Sequence, residues 1–184
     1  FLAFARDAAE ELSRRLPQGV PAMTVHKLAR RTLKAGLERR GVYLAEVEQA
    51  KYRRLTRARL RQLARSGVDL DGESARLGLE YLLALLNLVR LNLAEPGPSE
   101  LARLSERHGL MPPADPSLRE QLEATVAGIL REGVELALQH GRVDFTDMLY
   151  VPLVEEFPPP LFDFVCVDEA QDYSLLALRF TMRL

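Results

Sequence analysis

Apolar and polar positions divide the 184-residue chain into three regimes. In the first, the run Phe1–Phe4 predicts a short buried strand, and Ala8, Ala9, Leu12 and Leu16 predict a helix that Pro17-Gln18-Gly19 breaks. Val20–Val25 predicts a second strand, with Pro21 favouring a late start or an edge position. Leu28, Leu33 and Leu37 then carry a helical stripe from His26 to about Arg40. The second regime reads as helical throughout. Residues 44–65 form one helix, with Leu44, Val47, Leu55 and Leu63 among its apolar positions. A very apolar helix follows from Glu73 to Ala94, closed by Pro96-Gly97-Pro98, and a long helix capped by Asp115 or Ser117 runs to about His140. In the third regime a helix over Asp144–Glu156 bends near Pro152. Pro158-Pro159-Pro160 then leads into Phe162–Asp168, apolar on both faces before its terminal acid, as in a central parallel strand. Helix resumes from Ser174. The pattern predicts an α/β fold of about three parallel strands, with about 100 mostly helical residues inserted between the second and third.

Composition narrows the class. The chain is 47% hydrophobic and 28% charged, as in a folded globular protein. Its longest apolar run, between Glu80 and Arg90, is far short of the ~20 residues of a membrane span, and no signal-peptide layout opens it. No membrane partner is expected, and the expected compartment is the cytoplasm. Lacking an initiator Met and opening on a strand-like run, the chain reads as a piece of something longer. The single cysteine, Cys166, excludes an internal disulfide framework and any Cys-rich metal site, and is expected in the core.

The net charge of −1 hides an asymmetry: residues 27–65 hold thirteen Lys or Arg against three Glu, a local +10. Within it Arg53, Arg57 and Arg61 recur every four residues and stack along one helix face. Such a face suits a polyanion such as nucleic acid, the plain alternative being a solvated helix. His108 and His140 precede glycines and read as helix-end residues rather than metal ligands, whereas His26 is a functional candidate. Leu82, Leu83, Leu85, Leu86 and Leu88 read as bundle core, since their spacing is not heptad.

Asp168-Glu169-Ala170-Gln171-Asp172 carries the clearest chemistry. It stands at the carboxyl end of the third strand, the edge at which open α/β sheets bind ligands. Two adjacent carboxylates there call for a cation, and Mg²⁺ favours one or two carboxylates together with substrate phosphates. Asp168 would hold the metal and Glu169 would act on the attacking water.

This string resembles the Walker B motif of the UvrD/Rep family of superfamily 1 DNA helicases, often DEAQD or DEFQD. Further stretches match in order: Leu2–Leu12 resembles the strand-plus-TFTNKAA motif, Thr24-Val25-His26-Lys27-Leu28-Ala29 resembles TFHSLA, and Asp144-Phe145-Thr146-Asp147-Met148-Leu149 resembles DFDDLL. The short spacing between the first two is similar to the branch containing F-box and some phage helicases. The resemblance covers both ends of the chain. It implies a partial RecA-like P-loop NTPase domain, with residues 1–40 and 144–184 in the motor and 41–143 as an inserted helical subdomain. It further implies ATP hydrolysis with Mg²⁺, a monomer moving 3′ to 5′ on single-stranded DNA and acting at DNA junctions, and a place in DNA repair or a related process. Phe4 would stack on a base, Thr24 and His26 would lie beside the strand, and Gln171 would sense the γ-phosphate. Asp172 would order the turn by hydrogen bonds.

The departures are specific. Ala3 and Ala5 replace threonines, Arg6 and Asp7 replace Asn and Lys, and Val25 replaces Phe. No GxxxxGK[ST] occurs, so the amide cradle and its Lys are missing, and the isolated chain is expected neither to bind ATP tightly nor to unwind DNA. The rival class is a degenerate, non-hydrolysing DNA-binding or scaffolding module of a repair complex. An RNA helicase of the DEAD or DEAH type would carry PTRELA-like residues near its start, which are not found.

Overall fold

The computed structural model describes residues 1–45 and 47–184. Its elements, in order, are β1 (Leu2–Ala3), α1 (Arg6–Arg15), β2 (Met23–Thr24), α2 (Val25–Glu38), α3 (Lys51–Arg65), α4 (Gly72–Asn92), α5 (Pro98–Arg107), α6 (Pro116–Glu123), α7 (Val126–His140), α8 (Asp147–Val154), a 3-10 turn (Ala170–Asp172) and α9 (Leu175–Thr181).

The expected α/β architecture is corrected: the described residues are mostly helical, with two parallel strands in one small sheet. β1 and β2 pair in register Leu2 with Met23 and Ala3 with Thr24. The predicted third strand contributes one parallel bridge, Val167 beside Leu2, closed by Leu2 N–H to Cys166 O and Asp168 N–H to Leu2 O, both 2.8 Å. Phe162–Val165 make no backbone hydrogen bond among the described residues, and Phe162 and Phe164 are exposed. An apolar run becomes a central strand only where neighbours satisfy its backbone and cover both faces. Here the two conditions are not met before Cys166. A partial RecA-like sheet is therefore not what this chain builds, and Cys166 is half-buried rather than core.

Side-chain caps set several helix starts. The Thr24 hydroxyl accepts from Lys27 N at 3.2 Å, Asp71 from Ser74 N at 2.6 Å, Asp115 from Ser117 N at 2.9 Å, and Ser174 from Ala177 N at 3.3 Å. α7 ends at Gly141, left-handed at φ 63°, where any Cβ would collide with the Tyr43 carbonyl. Three apolar clusters fill the interior. The largest joins α3 to α7 around Leu82, Leu85, Leu86 and Ile129, which places the leucines of α4 in bundle core as expected. A second seats β1, β2, α2, α8 and α9 on one another through Leu2, Val25, Leu28, Leu149 and Phe180. The third wedges Phe157 among Leu33, Leu37 and Val151. None of the described helices is long and apolar enough to cross a membrane.

Candidate nucleic-acid cleft and acidic edge

β1, β2 and the Val167 bridge run parallel, so their carboxyl ends share one edge. Phe4 follows β1, Thr24 ends β2 with Val25-His26 behind it, and Asp168-Glu169 follow Val167. Phe4 is 57% exposed, as an open platform requires. Its ring lies 5.9 Å from that of Tyr173, tilted by 42°. His26 is half-buried, and its imidazole stacks on Phe145 at 4.0 Å and 19°. Burial lowers the His26 pKa below its ordinary value, so the ring is neutral at pH 7. Phe4, His26, Phe145 and Tyr173, with Asn87 and Asp172, line a cleft of about 320 Å³. It is chiefly apolar and aromatic, the surface on which bases stack.

Thr24 fits less directly. Its half-buried hydroxyl caps α2, so its side chain sets the direction of the helix carrying His26.

Asp168 and Glu169 are exposed, and neither makes a salt bridge among the described residues. Glu169 is left-handed at φ 49°, ψ 44°, an uncommon position for a side-chain-bearing residue. Its carboxylate accepts a short hydrogen bond from the Gln171 amide, which joins the two side chains in one turn. The backbone N–H of Asp172 donates to Glu169 O at 3.0 Å, and no side-chain hydrogen bond of Asp172 occurs among the described residues. The Tyr173 hydroxyl is buried without a partner among the described residues. Burial, and then the Asp168 charge, push its pKa up to about 12. No three His, Cys, Asp or Glu side chains converge on one point among the described residues. An exposed carboxylate pair at a strand end fits a Mg²⁺ that keeps most of its waters and takes its other ligands from phosphates. A phosphate cradle is not supplied by this sequence.

Arg53, Arg57 and Arg61 lie apart from the aromatic cleft. They are exposed on α3, make no salt bridge among the described residues, and line a separate groove with Ala50 and Arg54. Other bases of the +10 stretch are already neutralised: Arg54 by Glu48 at 3.0 Å, Arg59 by Glu132 at 3.6 Å and Arg40 by Glu155 at 2.9 Å. Lys51, counted there as surface charge, is wholly buried.

Charge periodicity misses what surrounds Lys51. Its ammonium donates to Asp147 Oδ2 at 2.6 Å, Gly133 O at 2.6 Å and Arg142 O at 3.0 Å. Arg90, in the last turn of α4, donates to both Asp144 oxygens at 2.7 and 2.8 Å and to Asp147 Oδ1 at 3.2 Å. Its guanidinium also sits 3.9 Å above the Tyr52 ring, whose hydroxyl donates to Asp147 Oδ1. A cation closing the apolar run of α4 and two acids three residues apart were the available signals; their partnership was not visible. Compared with family models, characterised proteins and solved structures, the chain matches none.

Proposed function

We propose that this chain is part of an ATP-dependent DNA helicase or translocase, in which the aromatic cleft holds single-stranded DNA and the Asp168-Glu169 edge serves nucleotide hydrolysis. The observation that carries the reading is the convergence of Phe4, His26 and the acid pair on one sheet edge, with Tyr173 against Phe4 and electrostatically coupled to Asp168.

Each side chain has a separable task. Phe4 offers an exposed ring to a base, and the neutral His26 ring extends the apolar wall without repelling it. Asp168 would hold Mg²⁺, and Glu169 would orient the attacking water, its carboxylate steered by Gln171. Bound Mg²⁺–ATP would supply the cleavable phosphate and the charge that neutralises this edge. The Arg53–Arg57–Arg61 ridge would add sequence-independent contacts to phosphates. No phosphate loop is present in these residues, so the motor reading requires one supplied from outside them. A second reading, a DNA-binding module without hydrolysis, draws on the absence of a phosphate-cradling GxxxxGK[ST] loop from these residues.

The test is binding of a fluorescent oligo-dT to the 184-residue chain and its Phe4→Ala variant. Loss of a stacking platform lowers affinity by about 1–3 kcal/mol; equal affinities would remove the cleft from DNA binding. Glu169→Gln in the longer protein separates the two readings. Retained nucleotide binding with nearly abolished turnover supports the motor, and no turnover in the unmodified protein supports the module.

A further inference from the structure

The outer face of α2 is cationic and almost unopposed. Its fourteen residues carry Lys27, Arg30, Arg31 and Lys34 against a single acid, Glu38. Their spacing puts all four cations on one exposed side of the helix, while Leu28, Ala29, Leu33 and Leu37 turn inward. Lys27 and Arg30 make no salt bridge among the described residues. Arg31 donates to the Met23 sulfur at 3.7 Å, and Lys34 comes no closer to Glu38 than 3.6 Å. α1 shows the contrast: Arg6, Arg14 and Arg15 each meet a glutamate one turn away, at 2.8, 3.3 and 2.6 Å.

This arrangement works against the helix that carries it. Lys27 with Arg31, and Arg30 with Lys34, are like charges four residues apart, a spacing that weakens a helix. Lys27 also stands in the first turn, at the positive end of the macrodipole, where no acid accompanies it. A face kept only for solubility would do as well with mixed signs. Unopposed charge gains when an anion lies along it. Position says which anion. Val25 and His26 line the aromatic cleft, so the cations begin one residue beyond the cleft wall. From Lys27 to Lys34 they continue down the helix for about 10 Å. Beyond His26, α2 has no aromatic residue, so past the cleft it offers no ring to a base and can read only backbone charge.

We propose that Lys27, Arg30, Arg31 and Lys34 form a phosphate track, along which a DNA strand leaving the cleft past His26 is held by its backbone, whatever its bases. This rests on the cleft being a single-stranded DNA site. The track is separate from the α3 ridge, which has its own groove, and it gives the strand one side on which to leave.

The test uses the full 184-residue chain. Its probes are a short oligo-dT confined to the cleft, the same oligonucleotide with an abasic phosphodiester tail on its 5′ or its 3′ end, and poly-glutamate. The variant combines Lys27→Gln, Arg30→Gln and Lys34→Gln, all at exposed positions, and leaves Arg31 in place because of its contact with Met23. In the unmodified chain a tail on one end strengthens binding and steepens its salt dependence, and a tail on the other end adds much less. The variant binds the short oligo-dT as tightly as the unmodified chain does but gains little from either tail. With the favoured tail, its slope of log affinity against log salt is shallower by about 2.

A tail that strengthens binding equally in variant and unmodified chain overturns the track and leaves the cleft reading standing. Equal gains from the two tails overturn the one-sided path. Displacement of the favoured tail by poly-glutamate of equal charge, at equal concentration, overturns phosphate as the ligand and assigns the face to an acidic protein segment. If the short oligo-dT does not bind, the cleft reading falls and the strand's path falls with it. An abasic polymer bound by the unmodified chain and lost by the variant then still upholds phosphate recognition by α2, and equal binding by both overturns it.

Discussion

Lys51 and Asp147, 96 residues apart, meet at 2.6 Å with neither side chain exposed. All three donors of the ammonium are used, two of them on the carbonyls of Gly133 and Arg142, so the contact ties the start of α3 to α7 and α8. Removing one member of such a set leaves an uncompensated charge in the interior. Lys51→Ala is expected to cost about 3–5 kcal/mol in urea unfolding, whereas replacing Lys51, Tyr52 and Asp147 together by apolar residues costs less. A loss below about 1 kcal/mol for Lys51→Ala would mean that the buried pair does not form.

Gly133 makes a narrower prediction. Its carbonyl accepts from Lys51, and a Cβ added to it would come within 2.8 Å of the Tyr52 hydroxyl and the ring edge beside it. Tyr52 must then move, giving up its bond to Asp147 and its place under Arg90. Gly133→Ala is expected to lower stability by about 1–3 kcal/mol despite its better helix propensity. A raised Tm would show that the approach of α3 to α7 is looser than described.

For the basic ridge, reversal of Arg53, Arg57 and Arg61 to Glu is expected to weaken single-stranded DNA binding and to flatten its dependence on salt. Phe4→Ala is expected to weaken binding while leaving the salt slope nearly unchanged, because a stacked ring releases no counterions. Titrations of both variants at several salt concentrations check this. Unchanged affinity and slope in the triple variant would place the ridge in solvent.

Alkaline pH reports on the acidic edge. The Tyr173 hydroxyl is pushed up to about 12 by burial and then by the Asp168 charge. Between pH 10 and 12 the unfolded chain has released this proton while the folded chain retains it, so stability falls as pH rises through that window. Phenolate absorbance of the native protein, compared with that of Tyr173→Phe, should assign no ionisation to Tyr173 near pH 10. A difference between the two spectra already complete at pH 10 would contradict the burial of this hydroxyl.

How much was legible in the sequence depended on how local the cause was. α2 and α4 were readable because each carries its own apolar stripe and its own cap, Thr24 or Asp71. β2 began late, as Pro21 required. Errors arose where a pattern was completed by distant partners. Leu44 and Val47 mimic the start of α3 but pack as loop against the Leu33–Phe157 cluster, with Ala45 and Glu48 N–H bonded to Gly141 and Val143 carbonyls. The long helix expected after Asp115 divides at Ala124-Thr125, where the Thr125 hydroxyl bonds Leu122 O instead of extending the run. α5, with Pro98 and Glu100 in its first turn, was passed over between two breaks. Phe162–Val165 has strand composition without strand neighbours. At the candidate site, Asp168 could be named because it ends an apolar, strand-like run, whereas Phe4 and His26 were named through the family resemblance. Phe145, Lys51 and Arg90 could not, since the burial of a cation is decided by anions far away in sequence.

The counterion arrangement also bears on how such a chain can be recombined. Asp144 and Asp147 borrow their positive charge from α3 and α4, so residues 41–143 are no detachable cassette. A chimaera that swapped those helices for another helical segment would inherit two orphaned acids unless it also imported a lysine and an arginine at matching places. Grafts across this junction are therefore expected to succeed only as a matched quartet.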